Sequence, residues 1–276
     1  MKMKSYIILL ITILFVSAKA QEKITIVPKW EDNETKTLIS LSNNYYDEIA
    51  DTGANSFSDT SKIYHLKVIK KENSYNLIWK EERTKYINET EKIFADKLSL
   101  NIALNKKGEF QKLNNKTEVY NLFNDFIKDM LSSLKKDKSK KDEYKKDFDE
   151  INKMITADTL EFLIKKETSF FFGIYGKTII INDTVYYTKE KSGTTRNISA
   201  TAKRINDEQI LIIETYKTNK NKAPTIEEEI IEAVEEAIND YEDNEYSTEY
   251  IYNTKTGWVE SILDNNIFFT TKYILK

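Results

Sequence analysis

From Lys23 the chain reads KITIVPKW and then TKTLISLS, with Ile24, Ile26, Pro28 and Trp30 on one side of a period-two alternation. That spacing predicts strands, and Pro28, lacking an amide hydrogen, predicts a sheet edge or a bulge. The segment SNNYYDEIADTGANSFSDTS, rich in turn formers, predicts a surface loop. SKIYHLKVIKKENSYNLIWKEE then reads as a hairpin: Tyr64, Leu66 and Val68 share a face, and Lys71 to Ser74 turn the chain toward Tyr75, Leu77 and Trp79. KLSLNIALNKKGEFQKL repeats the plan, with Gly108 supplying a positive φ to the turn.

At Asn114 the period changes to three and four. Asn115-Lys-Thr-Glu118 reads as a capping box, and Val119, Leu122, Phe123, Phe126, Met130 and Leu134 form the stripe of an amphipathic helix over about 116–135. Tyr144, Phe148, Ile151 and Ile155 continue a stripe beneath a layer of lysine and carboxylate, which reads as a solvated helix face. Asp158-Thr-Leu-Glu161 predicts another cap. Leu160, Leu163, Ile164, Phe170 and Phe171 then follow one face, with Gly173 as the expected left-handed end. In the apolar run SFFFGIYGKTIII a strand begins after Gly176, too soon and too broken by Lys177 for a membrane span.

Beyond it, Asn182-Asp183 turns into TVYYT, and strands are expected at ATAKRINDE and QILIIETY. A third box, Thr225-Ile-Glu-Glu228, opens a helix over about 225–241. The chain finishes with a hairpin turned at Gly257 and a last strand. LNKKGEFQKL and YNTKTGWVESI echo each other, each placing Asn, Lys and Gly before an aromatic residue. Duplication and the general frequency of such turns both account for the echo. Together these elements predict an α+β fold: a large curved antiparallel sheet, half-barrel or open barrel, of about 10–12 strands with 3–4 helices packed on it. The expected organisation is a signal peptide over 1–20 and a single domain over 21–276, carrying a helical insertion over about 115–172.

The start, MKMKSYIILLITILFVSAKAQ, has Lys2 and Lys4 ahead of an apolar run of eleven residues from Tyr6 to Val16, and Ala18 and Ala20 at small-residue positions before Gln21. This is the pattern of a secretory signal cleaved after Ala20, and the apolar run is shorter than the roughly 20 residues a bilayer span requires. The chain contains no cysteine, so a lipid-anchored cysteine, disulfides and thiolate metal sites are excluded. The expected location is therefore periplasmic or extracellular, not as a lipoprotein and with no transmembrane span once the signal is removed. Only Arg83, Arg196 and Arg204 among the 42 basic residues are arginine. The cleaved chain would carry 39 basic against 45 acidic residues. An acidic chain so poor in arginine lacks the bidentate phosphate readers of a nucleic-acid binder.

Candidate chemistry is sparse. His65, the single histidine, alternates onto the polar side of its strand with Lys67, and no G-x-S-x-G frame exists to complete a triad. One histidine and no cysteine cannot build a multi-histidine zinc site. The six glycines form neither a dinucleotide fingerprint nor a P-loop. In DYEDNEYSTE, Glu245 stands where a calcium loop needs glycine and Ile251 where it needs glutamate. No catalytic residue, metal ligand or cofactor site is therefore assigned. Asp158-Thr159-Leu160 and Asp183-Thr184-Val185 match a short O-glycan acceptor pattern of exported bacterial proteins, and also fit a cap and a turn.

The hairpins, the two helical segments and the closing "Asn/Asp-x-x-Thr-Gly-aromatic" turn, here NTKTGWVES, resemble exported bacterial proteins with a curved antiparallel sheet, including lipoprotein-carrier-like half barrels. The resemblance implies a fold and carries no functional residue. The expected function is a non-enzymatic binding protein of the cell envelope, with Trp30, Trp79, Phe110, Tyr186, Trp258 and Phe268 lining the sheet and an apolar small molecule or lipid held against the helices. Trp79, Phe171, Phe172, Tyr175 and Trp258 are the expected ligand-binding residues. The alternative is a structural or protein-interaction component of the envelope with a closed core. A carboxylate-based hydrolase is a third reading, since carboxylates are abundant and no pair stands apart.

Overall fold

The computed structural model describes residues 21–44, 60–83, 89–133, 155–191, 194–220, 246–265 and 269–276. The predicted loop after Asn44, the stripe from Tyr144 to Ile151, Phe268 and the predicted helix at 225–241 lie outside them. Five strands come first: β1 (Lys23–Thr25), β2 (Thr35–Asn44), β3 (Thr60–Lys70), β4 (Ser74–Arg83) and, beyond helix α1 (Glu89–Lys97), β5 (Leu100–Asn105). Strand β6 (Phe110–Leu113) leads into helices α2 (Lys116–Ser133), α3 (Ala157–Glu167) and α4 (Ser169–Phe172). The remaining strands are β7 (Thr178–Ile180), β8 (Thr184–Lys191), β9 (Thr194–Arg204), β10 (Gln209–Lys220), β11 (Tyr246–Asn253), β12 (Val259–Asn265) and β13 (Phe269–Leu275).

Eleven strands form one open, curved antiparallel sheet in the order β6-β5-β4-β3-β2-β13-β12-β11-β10-β9-β8. Each hairpin pairs with its sequence neighbour. The exception is the seam in the middle, where Leu38 of β2 lies opposite Leu275 of β13 and Ile39 opposite Ile274. The fold is α+β, with α2 to α4 in the connection between the two outer edges, α1 between β4 and β5, and the helices covering one face. The alternation read from the sequence sets that face: Tyr64, Leu66 and Val68 of β3 and Tyr75, Leu77 and Trp79 of β4 are buried, while His65, Lys67 and Lys80 point outward. Tyr186, expected on the covered face, is 78% exposed on the other one, because its neighbour Tyr187 takes the inward phase of β8 opposite Ile198.

Several local expectations differ from what forms. Only Lys23–Thr25 of the first predicted strand is extended in a ladder, paired with β7. Past it the chain runs as a strap to Trp30, with Pro28 buried rather than on a sheet edge. The Asn115 side chain serves the sheet instead of its helix: Oδ1 accepts from the Asn101 amide and Nδ2 donates to the Ser99 carbonyl. Helix α3 is capped by Thr156, whose hydroxyl accepts from the Thr159 amide, two residues before the predicted box. Thr168 ends α3 and its hydroxyl donates to the Ile164 carbonyl, so Phe170 to Phe172 belong to a separate turn, α4. Gly173 is right-handed at φ −63° and the left-handed position is Gly176 at φ +82°. Helix α1 was not foreseen; its apolar residues, Ile93, Phe94 and Ala95, are too few to stand out as a stripe.

The strap joins the two halves of the sheet. The Ile26 amide donates to the Lys177 carbonyl and accepts, through its own carbonyl, from the Gly176 amide, both at 2.8 Å. The Tyr252 hydroxyl donates to the Val27 carbonyl at 2.8 Å, and that of Tyr75 to the Pro28 carbonyl at 3.3 Å. The two echoing turns meet here. Asn105 Oδ1 accepts from the amides of Lys107 and Glu109, and Asn253 Oδ1 from those of Lys255 and Thr256. A methyl group on Gly108 would come within 2.9 Å of the Pro28 ring, and one on Gly257 within 2.2 Å of the Lys29 amide nitrogen. Both turns need glycine for positive φ, +85° and +71°, and for this approach to a single strap.

Candidate functional site

The helices do not seal the covered face completely. Between α1, α2 and α3 and the strands β3 to β5 lies a cavity of about 160 Å³. Its floor is Tyr64, Trp79 and Leu100; its helical side includes Phe94, Val119, Phe123, Leu160 and Ile164. The pattern of the sequence accounts for these walls. Tyr64, Trp79 and Leu100 take inward phases of their strands, and Val119 and Phe123 lie four residues apart on the α2 stripe. Phe170 closes one end, stacked on Tyr273 of β13 with ring centres 4.1 Å apart and edge-on to Trp79 at 6.2 Å. Glu81, Glu167 and Thr168 supply polar atoms among mostly apolar walls.

Of the five residues expected to hold a ligand, only Trp79 lines this cavity. Its far side packs edge-on to Phe171 at 5.6 Å and tilted to Phe172 at 5.9 Å. Phe171, Phe172, Tyr175 and Trp258 are all buried in the main core. Trp258 stacks on Trp30 at 4.3 Å, and Tyr175 meets Trp30 edge-on at 5.5 Å. The Trp258 indole donates to Glu34 at 2.9 Å. Phe94, Phe123 and Phe170 are among the cavity residues that the sequence did not assign to a ligand. The α2 stripe pointed to Phe123, whereas nothing in the sequence pointed to Phe94.

The other half of the covered face holds a buried polar cluster among apolar residues such as Ile210, Ile212 and Ile262. Glu214 of β10 is 1% exposed and its carboxylate accepts from three donors. Lys177 Nζ donates to Oε1 at 2.7 Å, the Tyr187 hydroxyl donates to the same oxygen, and the Tyr216 hydroxyl donates to Oε2 at 2.8 Å. Lys177 also donates to the Tyr187 hydroxyl at 2.7 Å. Burial, then the adjacent Glu214 carboxylate, push the Tyr187 and Tyr216 hydroxyls above the ordinary phenol range. They stay protonated and act as donors, so this group is a satisfied buried ion pair. Thr248 lies opposite Glu214 across the β10–β11 ladder and donates to Asp264 at 2.9 Å. Burial raises the Asp264 carboxyl above its usual range against the lowering effect of that bond. Tyr273, also pushed up by burial and then by Asp264 and Glu167, stands between this strip and the cavity end at Phe170.

Among the described residues no cluster of carboxylates and imidazole has the arrangement of a metal site, and no helix is long and apolar enough to cross a membrane. The predicted acceptors differ in setting: Thr159 is engaged with Thr156 at 2.9 Å on α3, while Thr184 follows the exposed turn at Asn182 and Asp183. No protein-family model matches the chain, and no curated protein and no solved structure matches it either. The chemistry of the site therefore rests on its own residues.

Proposed function

We propose that the chain is a non-enzymatic, exported binding protein of the cell envelope that accepts the apolar group of a small amphiphile between its helices and its sheet. The cavity beside Trp79 supports this reading, because aromatic and aliphatic side chains from three helices and three strands converge on a space they leave unfilled. Its size limits the ligand. Pockets that engulf drug-sized molecules begin near ~300 Å³. An apolar cavity of ~150 Å³ accommodates a single benzene-sized group. The inserted part is thus a short acyl end or one ring, and the rest of the ligand stays outside, beside Glu81 and Glu167. No reaction is assigned, since the buried carboxylate of Glu214 is already neutralised by Lys177 and two tyrosines.

The second reading, an envelope scaffold with a closed core, is favoured by the placement of Phe171, Phe172, Tyr175 and Trp258, which are all buried together in the main core. The two readings separate by titrating the full chain with benzene and with hexanoate while recording NMR shifts at Trp79. Saturable shifts in the wild type that disappear in Leu160→Phe, where the added ring occupies the cavity, support ligand binding. Absence of saturable binding in the wild type supports the scaffold.

A further inference from the structure

We propose that the outer face of the sheet carries a docking groove for the phosphate groups of an anionic lipid surface, independent of the apolar cavity. On the face opposite the helices, β2, β3 and β4 enclose a hollow of about 340 Å³ whose floor includes the Ile78 side chain and the β3 backbone at Leu66. Lys67, Lys80 and Lys276 line it together with the hydroxyl-bearing Thr35 and Thr37. The register places them: Thr35 is opposite Lys67, His65 is opposite both Thr37 and Lys80, and Lys67 is opposite Ile78. Lys67 and Lys80 are thereby diagonal neighbours on adjacent strands, about 7–8 Å apart at the backbone. The Lys276 amide and carbonyl pair with Thr37, which brings a third lysine to the same place.

What distinguishes this hollow is the convergence on one place of three lysines, from β3, from β4 and from just after β13. Some cations of the chain sit beside carboxylates, as Lys116 does with Asp158 and Glu161. Among the described residues, Lys67, Lys80 and Lys276 have no ion-pair partner. Glu82, the carboxylate nearest in register, is engaged by His65 at 2.7 Å, and Lys36 at the rim has Glu34 at 3.8 Å. A concentrated positive field on a chain of formal net charge −3 is suited to recruiting an anion. The donors are lysines and hydroxyls on an open face, with no arginine fork and no buried donor to strip water from one phosphate. Flexible point charges of this kind match a layer of lipid phosphates better than a single enclosed anion.

The test is co-sedimentation of the full chain with phosphatidylcholine vesicles with and without phosphatidylglycerol. The wild type is expected to bind only the anionic vesicles. With each lysine near a charged surface contributing about five-fold, Lys67→Gln/Lys80→Gln/Lys276→Gln should weaken binding roughly 100-fold. A control of equal charge, Lys71→Gln/Lys106→Gln/Lys107→Gln, should weaken it far less. No binding of the wild type to anionic vesicles, or the same loss in both triple variants, overturns the proposal. Titration with inorganic phosphate alone, followed at the Thr35 and Thr37 amides, distinguishes the source of phosphate. Saturation there, abolished in the first variant, while anionic vesicles fail to bind assigns the groove to a free anion and overturns the membrane assignment.

Discussion

The Tyr175 hydroxyl donates to the Gly257 carbonyl at 3.0 Å and accepts from the Val259 amide at 3.3 Å, so one side chain from the turn after α4 closes the hairpin turn of the opposite half-sheet. Its ring lies 3.0 Å from where a methyl group on Gly108 would be, in the other echoing turn. Tyr175→Phe leaves that ring in place and leaves the Val259 amide without its acceptor. The expected loss is about 1–3 kcal/mol in chemical denaturation. Gly257→Ala should cost more than Tyr175→Phe, because the added carbon meets the Lys29 backbone as well as an unfavourable φ.

Glu214 and Lys177 depend on each other more than the fold depends on the pair. Glu214→Leu leaves the Lys177 ammonium, 24% exposed, facing the Tyr187 phenol, and is expected to destabilise by about 3 kcal/mol. The double variant Glu214→Leu/Lys177→Met should recover part of that loss, the remainder being the Tyr187 and Tyr216 hydroxyls left without their acceptor. Equal destabilisation by the single and the double variant, measured by urea unfolding, would show that no such coupling exists.

Asp264 gives a pH dependence whose sign follows from its raised carboxyl. The folded chain binds this proton more tightly than the unfolded chain, so the contribution of Asp264 to stability is fully present below the usual carboxylate pKa and is lost as pH rises through its folded value. Asp264→Asn keeps an acceptor for Thr248 and removes the buried charge. The variant should melt at a higher temperature than the wild type at neutral pH, and the two curves should converge in acid. A difference that grows toward low pH would contradict the argument.

Phe170 separates stability from capacity. Phe170→Ala removes the stack on Tyr273 and the edge contact with Trp79, at an expected cost of about 3 kcal/mol, while enlarging the cavity. Benzene affinity measured by NMR should increase in the same variant. A fall in both quantities would mean that the space collapses instead of widening.

The sheet was legible because period-two alternation survives in nearly every strand, and because Gly108, Asn182 and Gly257 stand at positions that require positive φ. Those signals are local. The cavity was only half legible because it lies between elements: Trp79 faces inward by alternation, yet whether it meets solvent-sized space or Phe171 depends on how far α2 and α3 stand from the sheet. Phe171, Phe172 and Tyr175 attracted attention by density of aromatic residues, a property that core and pocket share. The division at Thr168 was hidden for a different reason, since a threonine hydroxyl bonded back to Ile164 leaves no sequence signal distinct from a continuing helix.

The seam between β2 and β13 gives the sheet an order of assembly. Leu38 waits for Leu275, so the five strands of β2 to β6 and the six of β8 to β13 can each zip from hairpin to hairpin, but neither can be joined to the other until the last strand is present. A chain that folds as it emerges from its N-terminal end would therefore present unfinished meanders with exposed edges. Contacts of such long sequence separation form slowly. The interval before the seam closes is when this protein is most in need of a chaperone, and the strap carrying Pro28 and Trp30 can take its place only after both glycine turns exist.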